Sequence, residues 1–153
     1  MDINAYIVKT CTSFIDIPNK IATAIYFSGC SIRCKGCQNA ILWERDPSTI
    51  KSMSHILAKI EENKLADSVV FLGGEPTDQM IFLIELCKNI SRYKALYTGR
   101  EFEDLPKELI NNLNMIVCGP FRQDLFVKNR FPASTNQRYF KKEDDIWILQ
   151  NCQ

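Results

Sequence analysis

Histidine, glycine-rich linkers and long apolar runs are scarce in this sequence. Their scarcity limits the kinds of metal site, domain organisation and membrane association that the chain can have. His55 is the only histidine among the 153 residues, so a single imidazole is available to complete any metal site. No apolar stretch approaches the roughly 20 residues that cross a bilayer. Residues 1–4 show neither the basic nor the apolar region of a signal peptide. We therefore expect a cytoplasmic protein.

An excess of charge of one sign is also lacking. Lysine and arginine number 19 and aspartate and glutamate 18, and the net charge of +1 gives no support for broad nucleic-acid binding. The chain has no internal repeat, low-complexity tract or linker, while 46% of its residues are hydrophobic and 24% are charged. This composition predicts one globular domain that spans residues 1–153.

Cysteine, by contrast, is abundant, with seven residues of which three lie within eight positions. An odd total with this crowding fits a reducing compartment better than a disulfide framework. Cys30, Cys34 and Cys37 have C-x3-C-x2-C spacing, which leaves one coordination position open, whereas structural zinc sites are closed by four ligands. Three thiolates can instead hold a cluster of four irons with one iron left for an exogenous ligand.

Two other interpretations of the three cysteines remain open. A zinc site would need His55 to fold back onto the loop from a segment with helical spacing. Alternatively, the cysteines are plain core residues, although Arg33 and Lys35 between them are not typical of a core. The other four cysteines are scattered. Burial as small hydrophobic residues is the prediction for Cys11, Cys87 and Cys152, and it is one of two interpretations of Cys118, which is also a site candidate.

The rest of the chain alternates predicted strands and helices. Four short apolar runs are followed within two residues by glycine and are predicted as buried strands: residues 24–27, 68–72, 94–97 and 114–117. Helical spacing predicts helices at 50–60, capped by Ser48 or Thr49, at 81–90, and after Pro106. Residues 137–140 and 145–149 fit either strands or loops.

Strand, helix and strand in repetition predict an α/β fold with parallel strands joined by right-handed crossovers. A full eight-fold barrel takes ~250 residues, so we expect an incomplete (β/α) barrel or an open parallel sheet. Ligands of such sheets bind beyond the carboxyl ends of the strands. Four segments follow strands and are predicted to share one site: the cysteine loop of residues 30–37, and residues 73–76, 97–99 and 118–120.

The second of these segments, Gly73-Gly74-Glu75-Pro76, suits the binding of an ammonium group. Two glycines let a ligand approach the main chain, and Glu75 adds a carboxylate acceptor. Pro76 and Asp78 are typical of a helix start. A tight strand-to-helix turn without a ligand is the alternative interpretation.

Together, the cysteine spacing and the Gly-Gly-Glu-Pro motif resemble the radical S-adenosylmethionine superfamily. The resemblance implies a 4Fe-4S cluster held by Cys30, Cys34 and Cys37, with the amino and carboxylate groups of S-adenosylmethionine on the open iron. It also implies reductive cleavage of that cofactor to methionine and a 5'-deoxyadenosyl radical, with no catalytic side chain beyond the cluster and cofactor. The residues that we assign to cofactor binding are Gly36, Gln38, Gly73, Gly74, Glu75, Pro76, Thr98 and Cys118.

Within the superfamily, the chain resembles the anaerobic ribonucleoside-triphosphate reductase activating proteins, which are oxidoreductases that generate glycyl radicals. The matching features extend over most of the chain: Phe27-Ser28-Gly29-Cys30, Gly36, Asn39, Trp43, Tyr97-Thr98-Gly99, and residues 119–125 and 134–138. This resemblance implies a single radical S-adenosylmethionine domain. It further implies a large glycyl-radical enzyme, the anaerobic ribonucleotide reductase, as protein substrate and a flavodoxin- or ferredoxin-type electron donor.

Departures from that family keep other functions open. Residues 18–22 replace a Gly-Pro-Gly-x-Arg-like stretch, Cys118 stands where an aspartate is expected, and Gln38 stands where tyrosine is frequent. One alternative is a radical S-adenosylmethionine enzyme that acts on a peptide or small molecule, such as a deazapurine-forming synthase. The other is a non-catalytic iron–sulfur or zinc protein that binds a partner or transfers electrons.

Overall fold

A computed structural model describes residues 2–37 and 39–151 and contains eight strands and three α-helices within those ranges. The first half of the chain forms β1 (Asn4–Ser13), β2 (Ala22–Phe27), β3 (Ile50–Ser52), α1 (Met53–Glu62) and β4 (Ser68–Gly73). The second half forms α2 (Met80–Lys88), β5 (Tyr93–Tyr97), α3 (Lys107–Ile110), β6 (Met115–Cys118), β7 (Arg138–Glu143) and β8 (Ile146–Leu149).

All eight strands belong to one open sheet with the order β3-β1-β2-β4-β5-β6-β7-β8. Its centre, β2-β4-β5-β6, is parallel, and Phe27 lies opposite Gly73 where two of these strands end. The strands on either flank pair antiparallel. The predicted α/β fold and open sheet are therefore confirmed, but the sheet is mixed rather than purely parallel.

The two faces of the sheet have different coverings. On one face, side chains of all three helices, such as Ile56, Leu83 and Leu109, pack with alternate strand residues in a large apolar cluster. The opposite face carries a smaller cluster without helix residues, which includes Leu72 and Val117. Because successive strand residues point to opposite faces, neighbours in one strand contribute to different clusters. The helix-free face leaves space at the carboxyl ends of the parallel strands.

Two local predictions differ from the structure, and one open alternative is decided by it. The predicted helix from Ile50 begins at Met53 instead, because residues 50–52 pair with the first strand as β3. Its cap is Ser52, whose hydroxyl accepts the His55 N–H, rather than Ser48 or Thr49. The two late segments that fitted either strands or loops are the hairpin β7-β8. No helix in the two described stretches has the length and apolarity needed to cross a membrane.

Candidate active site

A cavity of about 170 Å³ lies at the carboxyl ends of β2, β4, β5 and β6, on the helix-free face of the sheet. Each of the four predicted strand-end segments contributes to its wall. The lining residues are Cys30, Ile32, Cys34, Cys37, Asn39, Trp43, Leu72, Gly73, Gly74, Glu75, Tyr97, Thr98, Gly99, Val117, Gly119, Phe121 and Gln137. The structure thus brings the cysteine loop and the Gly-Gly-Glu-Pro motif into one site.

The three thiols of the cysteine loop are all partly buried in the wall of this cavity. The loop begins at Gly29, whose φ of +100° suits glycine, and it is fixed by main-chain hydrogen bonds to the segment that follows it. Gly29 N donates to Leu42 O at 2.7 Å, and Cys30 N donates to Trp43 O at 2.8 Å. The first cysteine is therefore positioned by backbone pairing.

Backbone N–H groups also surround the sulfurs. Arg33 N donates to Cys30 Sγ at 3.5 Å and Asn39 N donates to Cys37 Sγ at 3.4 Å. Burial raises the pKa of the Cys34 thiol, while the Phe121 N–H acts on that pKa in the opposite direction. Donors of this kind stabilise thiolates and tune iron–sulfur clusters. The Phe121 N–H therefore offsets only part of the effect of burial, and the pKa of the Cys34 thiol remains above its usual value.

Gly73 and Gly74 bring the motif against the main chain of the cysteine loop. Gly73 has a φ of +113°, and a Cβ there would lie 2.5 Å from Phe27 O. A Cβ on Gly74 would collide with Gly29 O. The glycines allow Gly74 N to donate to Phe27 O at 2.7 Å and Glu75 N to donate to Gly29 O at 2.8 Å. Close packing alone is enough to require both glycines.

The Glu75 carboxylate is 2% exposed and accepts four hydrogen bonds. Its Oε2 accepts from Thr77 N at 3.1 Å, Thr77 Oγ1 at 2.6 Å and Thr98 Oγ1 at 2.7 Å. Its Oε1 accepts from Gly99 N at 2.8 Å. Since a carboxylate offers about four acceptor positions, these bonds occupy most of its capacity. Glu75 therefore joins the loops after β4 and β5 in addition to lining the cavity.

A second network ties the cysteine loop to these two loops, and sequence reasoning missed it. Asp78 accepts from Ser31 N at 2.7 Å, Ser31 Oγ at 2.8 Å and Arg100 Nη2 at 2.7 Å. Arg100 Nε also donates to Thr77 Oγ1 at 3.0 Å. In the sequence, Asp78 is recognisable only as part of a helix start, and nothing marks Arg100 as a site residue. Their hydrogen-bond partners are remote in the sequence, so the network is visible only in the fold.

The other residues assigned to cofactor binding have different surroundings. Thr98 lines the cavity, whereas Pro76 is buried at the start of a short 3-10 helix outside the lining. Gly36, with a φ of +76°, is covered by Gln123, whose Oε1 would lie 2.7 Å from a Cβ. Gln38 lies outside the described residues.

Cys118 belongs to the large apolar cluster on the helix-covered face and does not line the cavity. It is fully buried, and this burial raises its thiol pKa to about 11. Its chain neighbours Val117 and Gly119 line the cavity instead. The alternation of side chains along β6 explains why Cys118 faces away from the site.

The late segment, residues 119–138, contributes to the cavity and packs on the cysteine loop at Gly36. Phe121 and Gln137 line the cavity, and Asn136 Nδ2 donates to Pro120 O at 2.8 Å. Arg138 is held by two carboxylates, with Nη2 at 2.9 Å from Glu101 Oε2 and Nη1 at 2.9 Å from Glu103 Oε2. The hydrogen bond with Arg138 lowers the pKa of Glu103 to about 2.

The donor set fits an iron–sulfur cluster better than a single metal ion. Within residues 2–37 and 39–151, no three His, Cys, Asp or Glu side chains are grouped closely enough to hold one ion. A cluster places each cysteine on a separate iron, so its thiolates surround a larger body than one ion. His55 is exposed on α1 and does not line the cavity. The three sulfurs around one cavity, each near an N–H donor, suit the cluster.

Comparisons with known proteins point to the same chemistry. A family model described as a 4Fe-4S single cluster domain matches residues 21–140. The chain is 25% identical over 133 residues to the anaerobic ribonucleoside-triphosphate reductase-activating protein of Enterobacteria phage T4. The matched region covers 80% of this chain and 85% of the phage protein. The chain is 26% identical over 105 residues to the pyruvate formate-lyase-activating enzyme of Clostridium pasteurianum. This match covers 63% of this chain and 44% of that enzyme.

A solved structure supports the fold. The crystal structure of QueE from Escherichia coli matches with a TM-score of 0.53 and 21% sequence identity, over 63% of this chain and 52% of that chain. At this identity the likeness shows a common fold and nothing further.

Proposed function

Since the chain belongs to the 4Fe-4S single cluster domain family, of the radical S-adenosylmethionine type, we propose that it is an activase that generates a glycyl radical in a partner enzyme. The cofactors of this family are a 4Fe-4S cluster and S-adenosylmethionine, so both cofactor predictions are confirmed. The finer proposal concerns the reaction that they serve and the identity of the substrate.

One observation carries the proposal. Cys30, Cys34 and Cys37 line the same open cavity as Gly73, Gly74 and Glu75. Three thiolates leave one iron of a cluster without a protein ligand, and the neighbouring strand end offers main-chain oxygens for an ammonium group. When bound, the cluster and S-adenosylmethionine supply a strongly oxidising carbon radical that abstracts a hydrogen atom from the substrate.

The chain's own residues hold, orient and cover these groups. The three loop cysteines hold the cluster. The main chain at Gly73 and Gly74 approaches the cofactor without a side chain in the way, while Glu75 keeps that strand end fixed to Thr98 and Gly99. Phe121 and Gln137, from the late segment, restrict access of water to the same cavity.

The proposed partner is an anaerobic ribonucleoside-triphosphate reductase. Its support is the likeness to the phage activating protein, which extends over four fifths of this chain. An open sheet with a cavity at its edge is also compatible with a substrate loop supplied by another protein. A flavodoxin- or ferredoxin-type protein is the proposed electron donor.

The test mixes reconstituted, reduced protein with S-adenosylmethionine and the anaerobic reductase of the same organism. Electron paramagnetic resonance should show the doublet of a glycyl radical, and chromatography should show methionine and 5'-deoxyadenosine. Cys34→Ala should abolish both products, because it removes a cluster ligand. Cys11→Ala is the matched control, because Cys11 is an exposed thiol on β1 outside the cavity lining.

Two results would contradict the proposal at different levels. Cofactor cleavage without a glycyl signal, in the presence of an intact reductase, would favour the peptide or small-molecule substrate. A stable cluster without any cofactor cleavage would favour the non-catalytic iron–sulfur protein.

A further inference from the structure

One polar atom in the wall of the cavity lacks a partner. Trp43 lines the cavity, yet its indole Nε1 is buried and makes no hydrogen bond with the part of the chain that the structure describes. An indole N–H is a donor only. A buried donor without an acceptor is unfavourable, and such groups in native proteins call for an explanation, for example a ligand.

Trp43 is fixed on the cluster side of the cavity. Its carbonyl accepts the Cys30 N–H at 2.8 Å, so the residue lies directly beside the first cysteine of the loop. The Arg33 guanidinium lies 6.0 Å from the centre of the Trp43 ring and is itself held by Glu44 at 2.6 Å. Both Arg33 and Cys30 belong to the cysteine loop. The indole is therefore held against the segment that carries the metal ligands.

The cysteine sulfurs already have N–H neighbours of their own. Arg33 N serves Cys30, Asn39 N serves Cys37, and the Phe121 N–H acts on Cys34. Asn136 Oδ1 is the other buried atom without a partner among the described residues, but Asn136 lies outside the cavity lining. A bound cluster would bring inorganic sulfides, which are acceptors, into the cavity itself. A sulfide is a good match for a single N–H donor because hydrogen bonds to cluster sulfurs are a general means of tuning these centres.

We propose that the Trp43 N–H donates a hydrogen bond to an inorganic sulfide of the bound 4Fe-4S cluster and thereby raises its reduction potential. This inference rests on the cluster site of the proposed function. Reduction makes the cluster more negative, so a hydrogen-bond donor stabilises the reduced state more than the oxidised state. Trp43 is then a positioning and tuning residue, and it takes no part in the chemistry itself.

The experiment compares two identical substitutions. Trp43→Phe removes the N–H while keeping an aromatic ring in the wall of the cavity. Trp147→Phe is the matched control, because Trp147 is the only other tryptophan and packs on Phe102 from the far end of the sheet, with ring centres 5.8 Å apart. Iron and sulfide content and circular dichroism establish that both variants fold and assemble a cluster.

The readout is a redox titration without S-adenosylmethionine or partner. In Trp43→Phe, the ratio of reduced to oxidised cluster at a fixed applied potential should fall by up to about tenfold, which is about 59 mV for a one-electron couple. Trp147→Phe should match the wild-type protein. A Trp43→Phe midpoint equal to that of the wild type overturns the proposal.

A second measurement does not depend on a substitution at Trp43. In Trp147→Phe protein, Trp43 is the only indole, and its nitrogen can be labelled with ¹⁵N. Electron–nuclear double resonance of the reduced cluster should detect a coupling to this nitrogen, and its absence overturns the proposal.

Two further outcomes are distinguishable. An unchanged midpoint with S-adenosylmethionine bound at least about fivefold more weakly by Trp43→Phe would assign the N–H to the cofactor carboxylate and overturn the sulfide assignment. If the wild-type protein makes no glycyl radical, the proposed activase function is contradicted. The reduction potentials measured in the titration would still decide the role of Trp43. A wild-type protein that assembles no cluster would overturn both.

Discussion

The cysteine loop and the large apolar cluster both contain cysteines, but the surroundings of these cysteines differ. Cys30, Cys34 and Cys37 are partly exposed and lie among backbone N–H donors at a cavity. Cys87 and Cys118 are completely buried against apolar side chains, and burial raises their thiol pKa values to about 12 and about 11. The difference between the two regions is one of access, because the proposed cluster ligands face a cavity whereas Cys87 and Cys118 are enclosed by apolar side chains.

Loss of one thiol from each region gives the largest expected effect. Cys34→Ala should lose the cluster entirely, because two remaining thiolates cannot anchor it. Cys118→Ala should keep full iron and sulfide content and lose only packing free energy. Metal analysis after anaerobic reconstitution measures both, and thermal unfolding of the apoproteins serves as the folding control. Retention of a full cluster by Cys34→Ala would remove the distinction between the two regions.

The hydrogen bonds that fix the loop region can be tested at Glu75. Glu75→Gln replaces a charged acceptor of four hydrogen bonds by an amide that cannot accept all of them. We expect the apoprotein to lose about 3 kcal/mol of unfolding free energy and S-adenosylmethionine affinity to fall at least tenfold. Chemical denaturation and equilibrium binding measure the two effects.

Glu108→Gln is the control for Glu75, because Glu108 pairs with Lys88 at 2.6 Å on an exposed surface away from the cavity. Equal stabilities and affinities in the two variants would mean that the Glu75 network does not support the cofactor site.

A smaller effect is expected at Asp78, which connects the cysteine loop with Arg100. Asp78→Asn should retain the cluster but bind S-adenosylmethionine roughly fivefold more weakly, since a partly exposed ion pair contributes about 1 kcal/mol. Isothermal titration under anaerobic conditions measures the affinity. Asp124→Asn makes the same change in an equally short but more exposed pair with Arg122 and should bind like the wild type. An effect of equal size at Asp124 would refute the special position of Asp78.

The last effect, which is confined to alkaline pH, concerns the pH dependence of the buried region. Cys87 has a pKa raised from 9.0 to about 12 by burial, so the folded state keeps its proton where the unfolded state loses it. Unfolding free energy should therefore be unaffected below pH 9 and fall as pH rises from 9 to about 12, by about 1 kcal/mol per pH unit. Cys87→Ala should flatten this fall, and Cys11→Ala should not. Denaturation curves at pH 8 to 11 compare the slopes, and parallel slopes would contradict the assignment.

The parallel centre of the sheet and its shared edge were predictable because short apolar strands followed by glycine are local signals. The flanking strand β1 was not predicted, although Tyr6, Ile7 and Val8 are strand formers, and its antiparallel pairing with β2 and β3 is visible only in the fold. The sequence did not reveal which face of the sheet Cys118 occupies, because a one-residue step along β6 exchanges the faces. Asp78 and Arg100 meet only through the fold, so no spacing in the sequence reveals them.

The tight packing of Gly73 and Gly74 on the main chain of the cysteine loop has a consequence for how such sequences evolve. A side chain at either position would strike backbone atoms of Phe27 or Gly29, whether or not a cofactor is bound. A descendant that lost its catalytic role would still be selected to keep both glycines in order to fold. In a divergent homologue, survival of the glycine pair therefore records ancestry, while retention of all three loop cysteines is the better indicator of activity.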